Sequence, residues 1–136
     1  MDTKQNMTLE AFMAPKIKPV ADTEYIASDR IVDEEGKPIA WILRPISIQT
    51  EKEIKGMCID HNKFNNEKYL DLLIAESVVY PQLGNAELQD SYHVHGKTAL
   101  LSKMLTGCEY SLLGVKVQEI NGLMKRAASI IKDIKN

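Results

Sequence analysis

The clearest apolar periodicity in the chain lies in GCEYSLLGVKVQEING, residues 107–122. There Tyr110, Leu113, Val117 and Ile120 fall at i, i+3, i+7 and i+10. That spacing puts them on one stripe of a helix, and Asn121-Gly122 supplies residues tolerant of a left-handed cap. Just upstream, Leu100, Leu101, Met104 and Leu105 predict a helix over 97–105, and Thr106-Gly107 turns the chain. Leu70, Leu73, Ile74 and Val78 predict another at about 67–79, ended by Pro81, with a short helical piece around 85–91. Thr50 followed by Glu53 reads as a capping box for a helix over 50–60. Glu51 and Lys55 form an i,i+4 pair there, Ile54, Met57 and Cys58 share a face, and the polar run His61–Asn66 breaks the helix. Beyond Gly122, Leu123, Ala127, Ile130, Ile131 and Ile134 share one face of a last helix predicted over 123–134.

Only residues 25–46 read as strand-forming. Ile31 and Val32 lead into Asp33-Glu34-Glu35-Gly36, where glycine can take positive φ, and Ile39, Trp41 and Leu43 then alternate with Ala40, Ile42 and Arg44. A two-stranded hairpin alone is marginal, so its apolar face must rest on helices. Nearer the start, Thr8 can cap a short turn through Leu9, Ala11, Phe12 and Met13, which Pro15 and Pro19 stop. The expected organisation is a flexible N-terminal arm over 1–20 and one mainly helical domain over 21–136, with the hairpin near 25–44. Its fold class is α+β, mostly α: about five helices packed with one small antiparallel β-hairpin.

Composition narrows the function classes. The 136 residues are 44% hydrophobic and 26% charged with a formal net charge of −2, an ordinary globular balance without the basic field that nucleic acid demands. No apolar run approaches the roughly 20 residues that span a bilayer, and Met1–Asn6 is polar with no apolar stretch after it, so neither membrane nor signal peptide is expected. Cys58 and Cys108 lie far apart and form no CxxC or zinc pattern, which fits two free thiols in a reducing, cytoplasmic setting. Charge is locally uneven. Residues 22–35 hold six acids against Arg30, while Lys125, Arg126, Lys132 and Lys135 stand against Asp133 near the other terminus. Both read as solvated faces.

Candidate chemistry is thin. Cys108, Glu109 and Tyr110 adjoin one another, but a catalytic thiol needs a neighbouring cation, and adjacent helical residues point about 100° apart. A helix N-terminal turn with Glu109 favoured by the dipole explains the triplet better. His93 and His95 in SYHVHG could share a metal with His61 or Asp90, yet no second paired ligand cluster accompanies them, and surface or capping roles suit them better. The glycines stand singly, so no phosphate loop can be drawn, and Trp41 reads as a core aromatic. No cofactor is expected.

Three stretches together resemble the XkdN-like phage tail assembly chaperones: DEEGKPIAWILRPIS (33–47), VVYPQLGNAELQDSY (78–92) and LTGCEYSLLGVKVQEING (105–122). They are similar, in order, to D-x-D-G-K-P followed by a tryptophan and an arginine, to Y-P-N-L with E-L-Q-x-S-Y-G-V, and to L-x-P-G-E-Y with V-x-E-I-N-G-F. His93 stands where that pattern has glycine, Cys108 falls within its Pro-Gly-Glu-Tyr, and Leu123 and Met124 replace the phenylalanine and the aspartate after it. The resemblance implies a non-enzymatic role in building the tail of a phage or phage-derived element. Such a chaperone binds the long, helical tape measure protein in the bacterial host cytoplasm and assists tail tube subunits to assemble around it. The tape measure protein, with the tail tube protein beside it, is the expected partner. Because no later element covers them, Leu123, Ala127, Ile130, Ile131 and Ile134 are the candidate partner-binding residues. The alternatives are a structural tail or head-completion protein retained in the particle and, third, a metal-dependent enzyme using His93, His95 and His61.

Overall fold

Side-chain caps set where the helices begin. In the computed structural model, which describes residues 8–123, Ser47, Asn65, Asn85 and Thr106 each accept a backbone N–H from the first turn that follows. They open α1 (Ile48–Met57), α2 (Asn66–Ser77), α3 (Ala86–Ser91) and α5 (Gly107–Ile120), while α4 (Lys97–Met104) starts after Gly96. Among these residues the fold is mixed α+β and mostly helical. Two expectations for α1 need correction. Ser47, not Thr50, caps α1, since its Oγ accepts the Thr50 N–H at 3.2 Å, and the reciprocal box is found instead at Thr106 and Glu109. Met57 is 58% exposed while Ile54 and Cys58 are buried, because only the Ile54–Cys58 side of α1 meets α2.

The strands depart further from the expected single hairpin. β1 (Thr23–Tyr25) pairs antiparallel with β2 (Trp41–Leu43), Tyr25 opposite Trp41, so the partner of Trp41 lies six residues before Ile31. Ile31 and Val32 contribute only an isolated bridge, Val32 to Pro38, around a turn in which Asp33 Oδ1 accepts the N–H groups of Glu35 and Lys37 and Gly36 holds φ 83°. The helix expected through residue 79 stops at Ser77; Val78–Tyr80 becomes a third strand on the other edge of β2. An apolar run of this kind satisfies either period, and pairing with β2 decides it. The helix expected over 50–60 stops at Met57, and its expected last residues join the run read as a simple break in a two-stranded ribbon: β3 (Ile59–Asp60) and β4 (Lys63–Phe64) flank His61 and Asn62 at φ 50° and 64°, the backbone a primed hairpin turn requires. In chain order, Val78–Tyr80 is β5, and the larger sheet has the order β1-β2-β5.

The core forms where α2, α4 and α5 cover this sheet. Trp41 and Leu43 point inward from β2 and meet Leu73 and Ile74 of α2, Leu100 and Leu101 of α4, and Leu113 and Val117 of α5 in one buried cluster. α5 approaches α2 closely at Gly114, where a Cβ would stand 3.3 Å from Ile74 Cδ1. Residues 8–12 are helical, and Ala14–Lys16 form a 3₁₀ turn. Every residue over 8–20 is exposed. The chain is tied at Asp22, whose carboxylate takes two hydrogen bonds from the Arg44 guanidinium at 2.6 and 3.0 Å.

Candidate functional site

The Cys108-Glu109-Tyr110 stretch forms the first turn of α5, and each side chain has a structural setting there. Thr106 Oγ1 accepts the Glu109 N–H at 3.2 Å, while Glu109 Oε1 accepts the Thr106 N–H at 2.8 Å. The same carboxylate oxygen takes a 2.7 Å bond from Arg30, whose Nη2 also donates to the Met104 carbonyl at 2.9 Å. Arg30, with Ser28 and the Thr106 backbone behind it, holds the Glu109 carboxyl down to about 2. Tyr110 donates to Asp71 Oδ1 at 2.6 Å, and burial followed by that bond pushes its phenol above its ordinary value, so it stays neutral. Cys108 is exposed and faces no base of this triplet: the carboxylate belongs to Arg30 and the cap. The arrangement is a cap and two long-range ties.

His93 and His95 flank half-buried Val94 after α3, both exposed, whereas His61 sits in the β3–β4 turn with Nε2 3.5 Å from Asp60 Oδ1. Among the described residues no three His, Cys, Asp or Glu side chains gather as metal ligands. His93 holds φ 57°, the left-handed region that costs a side-chain-bearing residue and suits the glycine of the family pattern at this place. Of the expected partner-binding residues, Leu123 is 39% exposed, and Ala127, Ile130, Ile131 and Ile134 lie outside the described residues. The expected stripe on α5 faces inward, with Leu113 and Val117 fully buried and Tyr110 and Ile120 half-buried against them. The opposite side of the helix exposes Leu112 and Val115.

An apolar cleft of about 200 Å³ opens where the turn, β5 and α3 meet, lined by Ile31, Ile39, Trp41, Tyr80, Pro81, Leu88, Tyr92 and Met104. Ile39 and Trp41 come from the first family-like stretch, Tyr80, Pro81, Leu88 and Tyr92 from the second, and Met104 directly precedes the third. Gln89 steadies the far wall: its Nε2 donates to the Leu83 carbonyl at 2.8 Å and its Oε1 accepts the Gly96 N–H at 3.1 Å. Helical periodicity could not announce this cleft, because its lining comes from four segments, and only Leu88 and Tyr92, on α3 and at its C-cap, follow one another at helical spacing.

Asn121 does more than turn the chain. Its Oδ1 accepts the Ile46 N–H at 3.0 Å, and its Nδ2 donates to Ser77 Oγ at 3.2 Å and to the Val117 carbonyl at 2.8 Å. It thereby joins the end of α5 to the end of α2 and to the β2–α1 connection. Gly122, at φ 83°, supplies the left-handed step by itself, since Asn121 has φ −83°. An Asn-Gly pair closing an apolar stripe signals a turn; the partners 75 and 44 residues away carry no local signal.

Comparison with known proteins follows this architecture. A family model described as phage XkdN-like tail assembly chaperone protein matches residues 9–135. The phage-like element PBSX protein XkdN of Bacillus subtilis (strain 168) is 25% identical over 139 residues, covering 94% of this chain and 93% of that protein. The uncharacterized protein YqbN of the same organism is 26% identical over 136 residues, with 90% and 91% covered. The crystal structure of YqbN superposes with a TM-score of 0.76 at 25% identity, covering 82% of this chain and 93% of that one.

Proposed function

The chain belongs to the family of phage XkdN-like tail assembly chaperones, and from that membership we propose that it binds a tape measure protein in the host cytoplasm and assists assembly of the tail tube around it, without catalysing a reaction. The observation that carries this reading is the family match over residues 9–135, nearly the whole chain. Surface character supports it. Leu112 and Val115 stand 56% and 46% exposed on α5, and Leu123 follows the Gly122 turn, also exposed. Apolar side chains presented in this way are what a helical client with its own apolar stripe can dock on.

The client contact we assign extends from Leu123 along the apolar positions Ala127, Ile130, Ile131 and Ile134, with Lys125, Arg126 and Lys132 between them and Lys135 after them. Weak binding per copy suits a factor that must leave, since many copies along one client supply avidity. Co-expression of tape measure protein with the intact chain or with the Ile130→Glu, Ile131→Glu variant tests the proposal. The intact chain should keep the client soluble and the variant should not, while remaining folded by circular dichroism. Equal client solubility with both, or stoichiometric recovery of the chain in purified particles, overturns the reading.

A further inference from the structure

We propose that the apolar cleft beside Trp41 is a docking site for this chain's own C-terminal segment, residues 123–136. The cleft is walled by Ile39, Trp41, Tyr80, Leu88 and Tyr92, and Tyr80 at its mouth is 49% exposed, so an aliphatic side chain entering it would bury apolar surface on both partners. Acidic residues adjoin its lining along the chain: Ile31 and Ile39 line the cleft and bracket the turn bearing Asp33, Glu34 and Glu35, and Glu87 precedes Leu88 on α3, all four exposed. Of the cations bordering that turn, Arg30 is bonded to Glu109 at 2.7 Å, and Lys37 Nζ stands 3.9 Å from Glu35.

Residues 123–136 have the complementary character. They carry four basic residues against Asp133, with Leu123, Ala127, Ile130, Ile131 and Ile134 spaced for one helical face. Reach is sufficient. Asn121 is bonded to Ser77, and the strand that follows leads to Tyr80 at the cleft in three residue steps, roughly 10 Å. Fourteen residues span about 21 Å even when fully helical. Tethering also gives the chain's own segment a local concentration that a second copy at micromolar dilution lacks. Docking covers the residues assigned above to the client, so client and cleft would compete for one segment; that consequence rests on the chaperone reading, whereas the docking itself needs no client.

Trp41 is the single tryptophan and lines the cleft, which makes it the reporter. In the full chain with Cys108→Ser, a dansyl group on Ile130→Cys or, in a second protein, on Asn136→Cys accepts its emission; Cys58 is buried and escapes labelling. Expected is strong quenching of Trp41 at low salt that does not change on dilution. It should fall at least twofold in Glu34→Lys, Glu35→Lys, Glu87→Lys and in about 1 M salt, where the screening length is about 3 Å. Reversal of Glu53 and Glu67, away from the cleft on α1 and α2, should leave it unchanged. Quenching that is absent at both label positions, or indifferent to reversal of Glu34, Glu35 and Glu87, overturns the proposal. Quenching that grows with protein concentration assigns the cleft to a second copy and overturns it equally. No client is present, so failure here is separate from failure of the co-expression experiment.

Discussion

Replacing Asn121 by Ala isolates the tie that joins the end of α5 to the end of α2 and to the β2–α1 connection. Asn121 satisfies the Ile46 N–H at 3.0 Å and donates to Ser77 Oγ at 3.2 Å, and Ser77 is fully buried. Truncation leaves the Ser77 hydroxyl without this partner where water cannot replace it, while the half-buried Ile46 N–H regains water in part. At about 1–3 kcal/mol for each buried group deprived of its partner, and less for the one that rehydrates, the expected loss is about 2–4 kcal/mol. Urea denaturation followed by Trp41 emission measures it. With a slope near 2 kcal/mol/M the midpoint should drop by about 1–2 M at an unchanged slope. Ser77→Ala supplies the internal check, since removing the hydroxyl removes much of the penalty. Asn121→Ala should therefore cost less in that background, with a coupling of at least about 0.5 kcal/mol. A single-variant loss below about 0.5 kcal/mol, or strict additivity, refutes the clamp and leaves Asn121 a plain turn residue.

Glu109, held near 2 against an unfolded value of 4.5, contributes stability that is fully present above pH 4.5 and is lost as pH falls through about 2. Stability measured against pH should therefore fall more steeply on the acid side for the wild type than for Glu109→Gln, and parallel curves would contradict the assignment. Leu113→Ala should cost about 2–5 kcal/mol in thermal or urea unfolding because its side chain is fully buried. Lys116→Ala, which gives up a 3.6 Å contact with partly exposed Glu119, should stay within about 0.5 kcal/mol. His93→Gly should remain within about 1 kcal/mol of wild type, whereas His93→Val should destabilise by about 1–2 kcal/mol, because a β-branched side chain resists the left-handed backbone at φ 57°. Cys108→Ser should change stability by about 1 kcal/mol or less and leave client solubility intact.

The helices were legible because their information is local. Leu100, Leu101 and Met104, or Leu113 and Val117, recur at the helical period whatever they pack against, and each proved buried. The turn at Asp33–Gly36 was likewise written in residues that need no distant partner, since Asp33 accepts from backbone two and four residues on. Strand partners are another matter. Ile31-Val32 matched the alternation as well as Thr23–Tyr25 did, and Val78–Tyr80 fitted a helix as well as a strand; only the edges of β2 available after α2, α4 and α5 covered the core fixed the outcome. The same holds for polar ties. Glu109 looked like a dipole-favoured residue, but its bond to Arg30 spans 79 positions, and Asn121 reaches Ile46 across 75. The cleft beside Trp41 belongs with these. Each of its walls is an ordinary apolar residue of its own segment, and only the packing of four segments, in which long-range contacts repay the entropy of closing the loops between them, makes an open apolar space of them.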